Sequence, residues 1–363
     1  MSGLVVDPGQ LGAWQLAWRA LRRNRVAMAA GWTLVVLYLA ALVPEPFATT
    51  APDRRDDHAI AAPPMPLRIW DGGPRMPFVH PLVAERHPDT LALIWREDRT
   101  RRIPAVILPA VEPYRMFGFI PCRWRLVGIA EGIWHPLGTD RIGQDLWSRL
   151  VHGARVSLTI GMLGVVLSFA LGVVLGAVAG WYGGWTDRII QRITDVLISL
   201  PAIPIWMGLS AAVPASWPPL WVYLGITLVL SFVGWTGLAR QLRARILAQR
   251  DEDYVVAARL AGASSWRIMR VHLIPGSMSH LIVAATLAVP GMILGETALS
   301  FLGLGIRPPA VSWGVLLQDA QSLQSLAQMP WLLAPAGAVF IVVLAFNLLG
   351  DGLRDALDPH HQH

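Results

Sequence analysis

Residues 253–276 read DYVVAARLAGASSWRIMRVHLIPG. The pattern predicts a helix ending near Gly262, a tight turn through Ala263 and Ser264, and a second short helix that carries Arg267 and Arg270 and stops at Pro275. A small residue at the turn and arginines on the second helix are also what a DNA-reading helix–turn–helix would show. The surrounding chain decides between the readings.

That chain of 363 residues is 54% hydrophobic and 15% charged, and its mean hydropathy is +0.47. Such a composition is too apolar for an ordinary soluble globule and points to a bilayer. All 30 basic residues are arginine, and the net charge of +6 suits anionic membrane lipid at the cytoplasmic surface better than nucleic acid. Cys122 is the only cysteine, which excludes a disulfide framework or a cysteine metal cluster within the chain.

A bilayer-crossing helix needs about 20 predominantly apolar residues. Six uncharged or nearly uncharged runs approach that length, at 26–43, 156–180, 196–213, 220–239, 281–305 and 331–349. The fifth contains one acid, Glu296, and the third is interrupted by Pro201 and Pro204. The first follows Arg19, Arg22, Arg23 and Arg25. It is longer than a signal-peptide core of ~7–15 residues and reads as a signal anchor. The positive-inside rule puts residues 1–25 in the cytoplasm, and the arginines of 185–192 and 240–279 fall inside by alternation. The uncharged PASWPP (214–219) falls outside, and the 351–363 tail returns to the cytoplasm.

The 44–155 segment is then extracytoplasmic, since long loops translocate largely regardless of charge. Two apolar runs within it, TLALIW (90–95) and RIPAVILP (102–109), flank REDRTRR (96–102) and suggest a β-hairpin in a small subdomain. Cys122 lies in this segment, so a membrane-impermeant maleimide is expected to reach it from outside. Of the 17 tryptophans, Trp181, Trp185, Trp217, Trp221 and Trp331 sit near span ends and read as an interfacial aromatic belt. The terminal HHQH (360–363) reads as a solvated tail, not a metal site.

Pinned between two spans, the opening stretch could hardly reach a DNA major groove, which leaves a connecting loop or a docking element for a partner protein. It resembles the cytoplasmic EAA loop of ABC-transporter permeases. There Ala-Ala is followed four residues later by Gly and thirteen residues after that by Pro, as Ala257, Ala258, Gly262 and Pro275 are here. Val256 stands where many members have Glu, and Ile274 where the pattern has Leu. Four further stretches are similar to the C-type permease of the dipeptide, oligopeptide and nickel importers. They are HPLGTDRIGQDLWSRLVHGARVSL (135–158), GWYGGWTDRIIQRITDVLISLP (180–201), GETALSFLGLGIRPPAVSWG (295–314) and NLLGDGLRDALDP (347–359), with Gln144 in place of a common arginine.

The resemblance implies an all-α polytopic protein of the bacterial inner membrane. It would have six transmembrane helices in the type I ABC-importer permease fold, the permease core spanning 156–350 and a partly β insert between helices 1 and 2. It implies a subunit without catalytic residues, metal or cofactor of its own. The implied partners are a homologous B-type permease, two ATP-binding cassette subunits that bind ATP and Mg²⁺, and an extracytoplasmic solute-binding protein delivering a peptide, oligosaccharide or nickel complex. Consistent with this, the chain holds no GxxxxGK[ST] loop and no lysine. The loop 240–279, with Asp253, Ala257, Ala258, Arg259, Gly262, Ala263, Ser264 and Pro275, is implied to dock in a groove of the ATPase. Physically, the two alanines allow close approach and Gly262 permits a left-handed turn, while Arg267 and Arg270 could meet acidic groups or lipid headgroups.

Glu296 lies mid-span, where an ionised carboxylate costs several kcal/mol unless paired or wetted, so it marks either the pathway or a helix-bundle tie. A secondary transporter would need symmetric halves with broken helices, and no internal repeat is visible. A membrane-embedded hydrolase would need a nucleophile–base pair, for which Ser168, Ser199 and His280 show no evident partner in sequence.

Overall fold

The computed structural model describes residues 13–357 apart from 71–72, 87–92, 118 and 215; the HHQH tail and part of the TLALIW run lie outside the described residues. Helix α1 (Ala13–Arg23) is a short amphipathic segment with Arg22 and Arg23 in its last turn. At Asn24 the helix breaks, because its side-chain Oδ1 accepts the Ala27 N–H at 3.1 Å and caps α2 (Arg25–Leu42). Strands β1 to β8 (Arg68–Trp70, Pro74–Val79, Leu82–Arg86, Leu93–Glu97, Ile103–Ile107, Ala110–Met116, Ile120–Trp124, Val127–Ile129) follow. The remainder is helical: α3 (Leu146–Tyr182), α4 (Gly184–Ser199), α5 (Ala202–Ala211), α6 (Pro219–Gln249), α7 (Asp253–Leu260), α8 (Ser265–Ile268), α9 (Ile274–Gly276), α10 (Met278–Phe301), α11 (Trp313–Gln318), α12 (Leu323–Gln328) and α13 (Ala334–Leu357).

Among the described residues five helical segments are long and apolar enough to cross a membrane, or six if α4 and α5 count as one broken span. Three expectations change in detail. The run at 196–213 is not one straight helix: α4 and α5 meet at a 93° bend. Pro201 lacks an N–H and disfavours helical backbone before it, so Leu200 is extended at φ −92°, ψ 140°. The fifth helix stops at Phe301 rather than 305, ahead of Gly303 with its φ of +77°. Pro275 does not end the helix that carries Arg267 and Arg270. A π-helical turn (Met269–Leu273) precedes it, and the proline occupies the first turn of α9, where a missing N–H costs nothing.

Contacts divide the chain into two units, one of Met1–Val35, Thr159–Leu299 and Phe340–His363, the other of Val36–Leu158 and Ser300–Val339. In the first, Gly172, Gly176 and Gly180 recur every fourth residue and form one stripe of α3. A Cβ at Gly176 would lie 2.6 Å from the Ala239 carbonyl oxygen, and one at Gly180 would lie 2.9 Å from that of Arg243. The stripe therefore lets α3 touch the backbone of α6, the small-residue contact used where lipid offers no hydrophobic drive. Ser231 Oγ adds a bond of 3.1 Å to the Gly164 carbonyl. Arg243 and Arg240 of α6 pair with Asp187 and Asp195 of α4.

In the second unit, β1, β2, β5 and β8 form an antiparallel sheet in that order, while β3–β4 and β6–β7 are separate hairpins. The two runs expected to pair with each other do not. β4 pairs with β3 from Leu82↔Glu97 to Arg86↔Leu93, and β5 pairs with β2 and β8. Asp98 turns the chain between β4 and β5, accepting the Thr100 N–H at 3.0 Å. Cys122 is buried on β7 opposite Tyr114, which shields the thiol from a maleimide.

The stretch 135–149 builds a buried polar cluster in the same unit. His135 Nδ1 lies 2.9 Å from Asp145 Oδ1, and Asp145 Oδ2 accepts from the Ser148 N–H at 2.7 Å and the Thr49 hydroxyl at 2.8 Å. Asp140 binds Arg149 and accepts the Ile142 and Gln144 N–H groups at 2.9 and 2.8 Å. Ser312 caps α11, and the Trp313 indole donates to the Leu150 carbonyl at 3.0 Å.

Candidate functional site

Three residues separate α6 from α7, whose N-terminal flank is Glu252 at φ −69°, ψ 149°. One face of the α7–α8 segment is locked inward. Val255, Ile268, Met269 and Leu273 are buried against Ala177, Leu242, Ile246 and Leu281, with Ala258 and Ala263 packed on the same cluster.

The turn between the helices is built by hydrogen bonding around Gly262, whose φ is +81°. The Gly262 N–H reaches the Arg259 carbonyl at 2.9 Å and the Ala263 N–H reaches the Ala258 carbonyl at 3.0 Å. This is a Schellman termination, in which the left-handed residue lets two orphan carbonyls find donors. Ser264 then starts α8, its Oγ accepting the Arg267 N–H at 3.4 Å. The two helices and their turn thus form one backbone-bonded piece seated on a core.

The opposite face is exposed and sets several apolar side chains among charged ones. Tyr254 is 46%, Val256 41%, Trp266 60% and Leu260 85% exposed. A Cβ at Gly262 would meet no heavy atom within 4 Å. Asp253, Ala257, Gly262, Ser264 and Pro275 lie on the exposed side with Arg267 and Arg270, whereas Ala258 and Ala263 serve the core. The Arg259 guanidinium is stacked 4.4 Å from the Trp181 ring centroid and bonds the Arg250 carbonyl at 3.4 Å. That stacking gives Trp181, read from sequence as an interfacial residue, a specific partner in the loop. Leu260 and Trp266 carried no motif, and only their apolarity on a segment otherwise rich in charge could have drawn notice.

Glu296 is not part of this piece. It is fully buried in α10, and the adjacent Gly295 lies against Leu230 and Trp206.

Residues 172–362 match the family described as binding-protein-dependent transport system inner membrane component, and residues 12–64 match the N-terminal TM domain of oligopeptide transport permease C. The di/tripeptide transport system permease protein DppC of Pseudomonas aeruginosa (strain UCBPP-PA14) is 39% identical over 262 residues, 70% of this chain and 83% of that protein. The dipeptide transport system permease protein DppC of Bacillus subtilis (strain 168) is 40% identical over 259 residues, 71% of this chain and 78% of that one. The oligopeptide transport system permease protein OppC of the same organism is 38% identical over 226 residues, 62% of this chain and 72% of that one.

Proposed function

This chain belongs to the family of binding-protein-dependent transport system inner membrane components, as a C-type membrane permease subunit of an ABC importer, and from that premise we propose that it forms half of an uptake pathway for peptides. A homologous B-type permease completes the pathway. Two ATP-binding cassette subunits supply ATP and Mg²⁺ chemistry, and a solute-binding protein presents the peptide. In this reading six spans cross the inner membrane, with α4 and α5 together making the third. Both termini are cytoplasmic and the 44–155 segment is outside.

The α7–α8 piece, with Asp253, Ala257, Gly262, Ser264 and Pro275 on its open side, is the coupling element. The observation that carries this role is Leu260, 85% exposed at the end of a helix whose other face is locked into a core. Bare apolar side chains on a stiff support are interface anchors, and closing the nucleotide dimer would move such a piece as a unit. Arg259 stiffens it through Trp181, and its role is positioning. Glu296 is read as a polar tie within the helix bundle.

Co-reconstitution tests the whole reading. Vesicles holding this chain, a B-type permease and two cassettes, supplied with the binding protein, are expected to accumulate a radiolabelled dipeptide only with ATP on the cassette side. Uptake driven by an ion gradient without ATP, or by this chain alone, overturns it.

Topology needs an exposed thiol, because Cys122 is buried. Met76 on β2 is 86% exposed. A Cys122→Ala/Met76→Cys variant is expected to react with impermeant maleimide in intact spheroplasts. Reaction only after lysis reverses the orientation.

A further inference from the structure

Beside β6 and β8 lies a cleft of about 370 Å³, within the ordinary range of small-ligand sites and bordered by Thr50, Tyr114, Arg125, Ala130 and Trp134. Arg125 is the unusual member. It sits between β7 and β8 and is only 8% exposed, held by its own N–H to the Pro109 carbonyl at 3.4 Å and by Nη1 to the Ala48 carbonyl at 3.2 Å. Its Nε is buried without a hydrogen-bond partner. Among the described residues, no carboxylate comes within 4.0 Å of the guanidinium. Tyr114 offers it a ring face at 5.7 Å, a weak substitute for a counter-charge.

A guanidinium carries five donors and keeps its charge at any ordinary pH. Asp145 and Glu112 act on Arg125 only as charges at longer range, so burial leaves its donors short of an anion that completes them. Glu112 also lines the cleft but is engaged by Arg54 at 3.1 Å, with its side chain 81% exposed. That ion pair leaves Arg125 free for another acid and sets a second cation nearby. The remaining walls combine Tyr114, Trp134 and the apolar strand residues Val127 and Ile129.

We propose that this cleft is a binding site for a small organic carboxylate bearing an apolar or aromatic group, with the acid on Arg125 and the apolar group against Tyr114 and Trp134. The volume favours a small molecule over a protein surface. Neither the coupling element nor the membrane spans take part, so the site stands apart from the role proposed above.

N-acetyl-L-phenylalanine and its primary amide, titrated against the purified full chain in lipid nanodiscs and read by saturation-transfer NMR, test the proposal. Saturable binding of the acid is expected, with the amide weaker by at least about tenfold, the loss that accompanies one charge-assisted hydrogen bond. Arg125→Gln is expected to lose the acid by a similar factor. Because Arg125→Gln removes a buried group and could unfold the insert, Ala130→Trp serves as the second variant. It fills the cleft from an exposed wall and should block the acid with an unchanged melting temperature. Equal binding of acid and amide, no saturable binding of the acid, or unaltered binding in Ala130→Trp overturns the proposal.

Discussion

Replacing Gly262 by valine is expected to abolish ATP-driven uptake while the chain still inserts into the membrane at a near-normal level. At φ +81° a β-branched side chain is strongly disfavoured. The cost is backbone strain and not crowding, since no heavy atom of this chain lies within 4 Å of a Cβ there. Strain of this kind is on the order of 1–3 kcal/mol. That is small beside the packing of the α3–α6 core and comparable to typical coupling energies between sites. Relief requires Gly262 to leave the left-handed region, which breaks the two bonds to Arg259 and Ala258 and swings Leu260 and Trp266 apart. The measurement is uptake by vesicles beside the amount of variant retained in the membrane and the cassette co-purifying with it. Alanine at the same position should give an intermediate defect. Normal uptake by the valine variant, or loss explained by degradation, leaves the loop as ordinary connecting chain.

The second large effect is expected at Arg149. Its guanidinium binds Asp140 and lies 3.7 Å from Asp319, and the Arg149 and Asp140 side chains are 9% and 4% exposed. Arg149→Met strands a buried carboxylate, a change that costs about 3–5 kcal/mol. The variant should melt far below the parent and accumulate poorly. An asparagine in place of Asp140 keeps an acceptor for the Ile142 and Gln144 N–H groups, so Arg149→Met/Asp140→Asn should recover most of the loss. Burial already pushes the Asp319 carboxyl above its ordinary value, with Arg149 opposing. A raised carboxyl contributes stability that is present below the unfolded value and lost as pH rises through the folded one. Removing Arg149 takes away the opposing charge, so the deficit of the single variant should shrink as pH falls toward the ordinary carboxylate value. An unchanged melting temperature in Arg149→Met, or no rescue by Asp140→Asn, would show that the pair carries little.

The spans were readable because a bilayer imposes one length and one chemistry on whatever crosses it, and a run such as 220–239 satisfies both without reference to its neighbours. Gly262 was readable because a left-handed position at a helix end admits few residues. Strand pairing in the insert was not. An apolar run such as IPAVI satisfies any partner of similar width, and β5 found β2 and β8 rather than the nearer β4. Pro201 and Pro275 show why a proline alone is ambiguous. The first separates α4 from α5 at a 93° bend, whereas the second rides in the first turn after a π-helical segment. The stacking of Arg259 on Trp181 joins segments far apart in sequence and leaves no local signature. The motif of the candidate site was legible, but its exposed surface was not, because exposure of Leu260 depends on which face of α7 the core has claimed.

Where α3 rests on α6 through Gly172, Gly176 and Gly180, the two rods meet peptide group to peptide group. Side chains can hop between rotamers and take up play, but amide planes cannot. The joint has the compliance of bonds rather than of packing, and the pair should swing as one beam. Since α6 passes into α7 through three residues, a push on Leu260 reaches this beam with little slack. A methyl group at Gly176 would act as a shim, parting the rods and giving the linkage backlash.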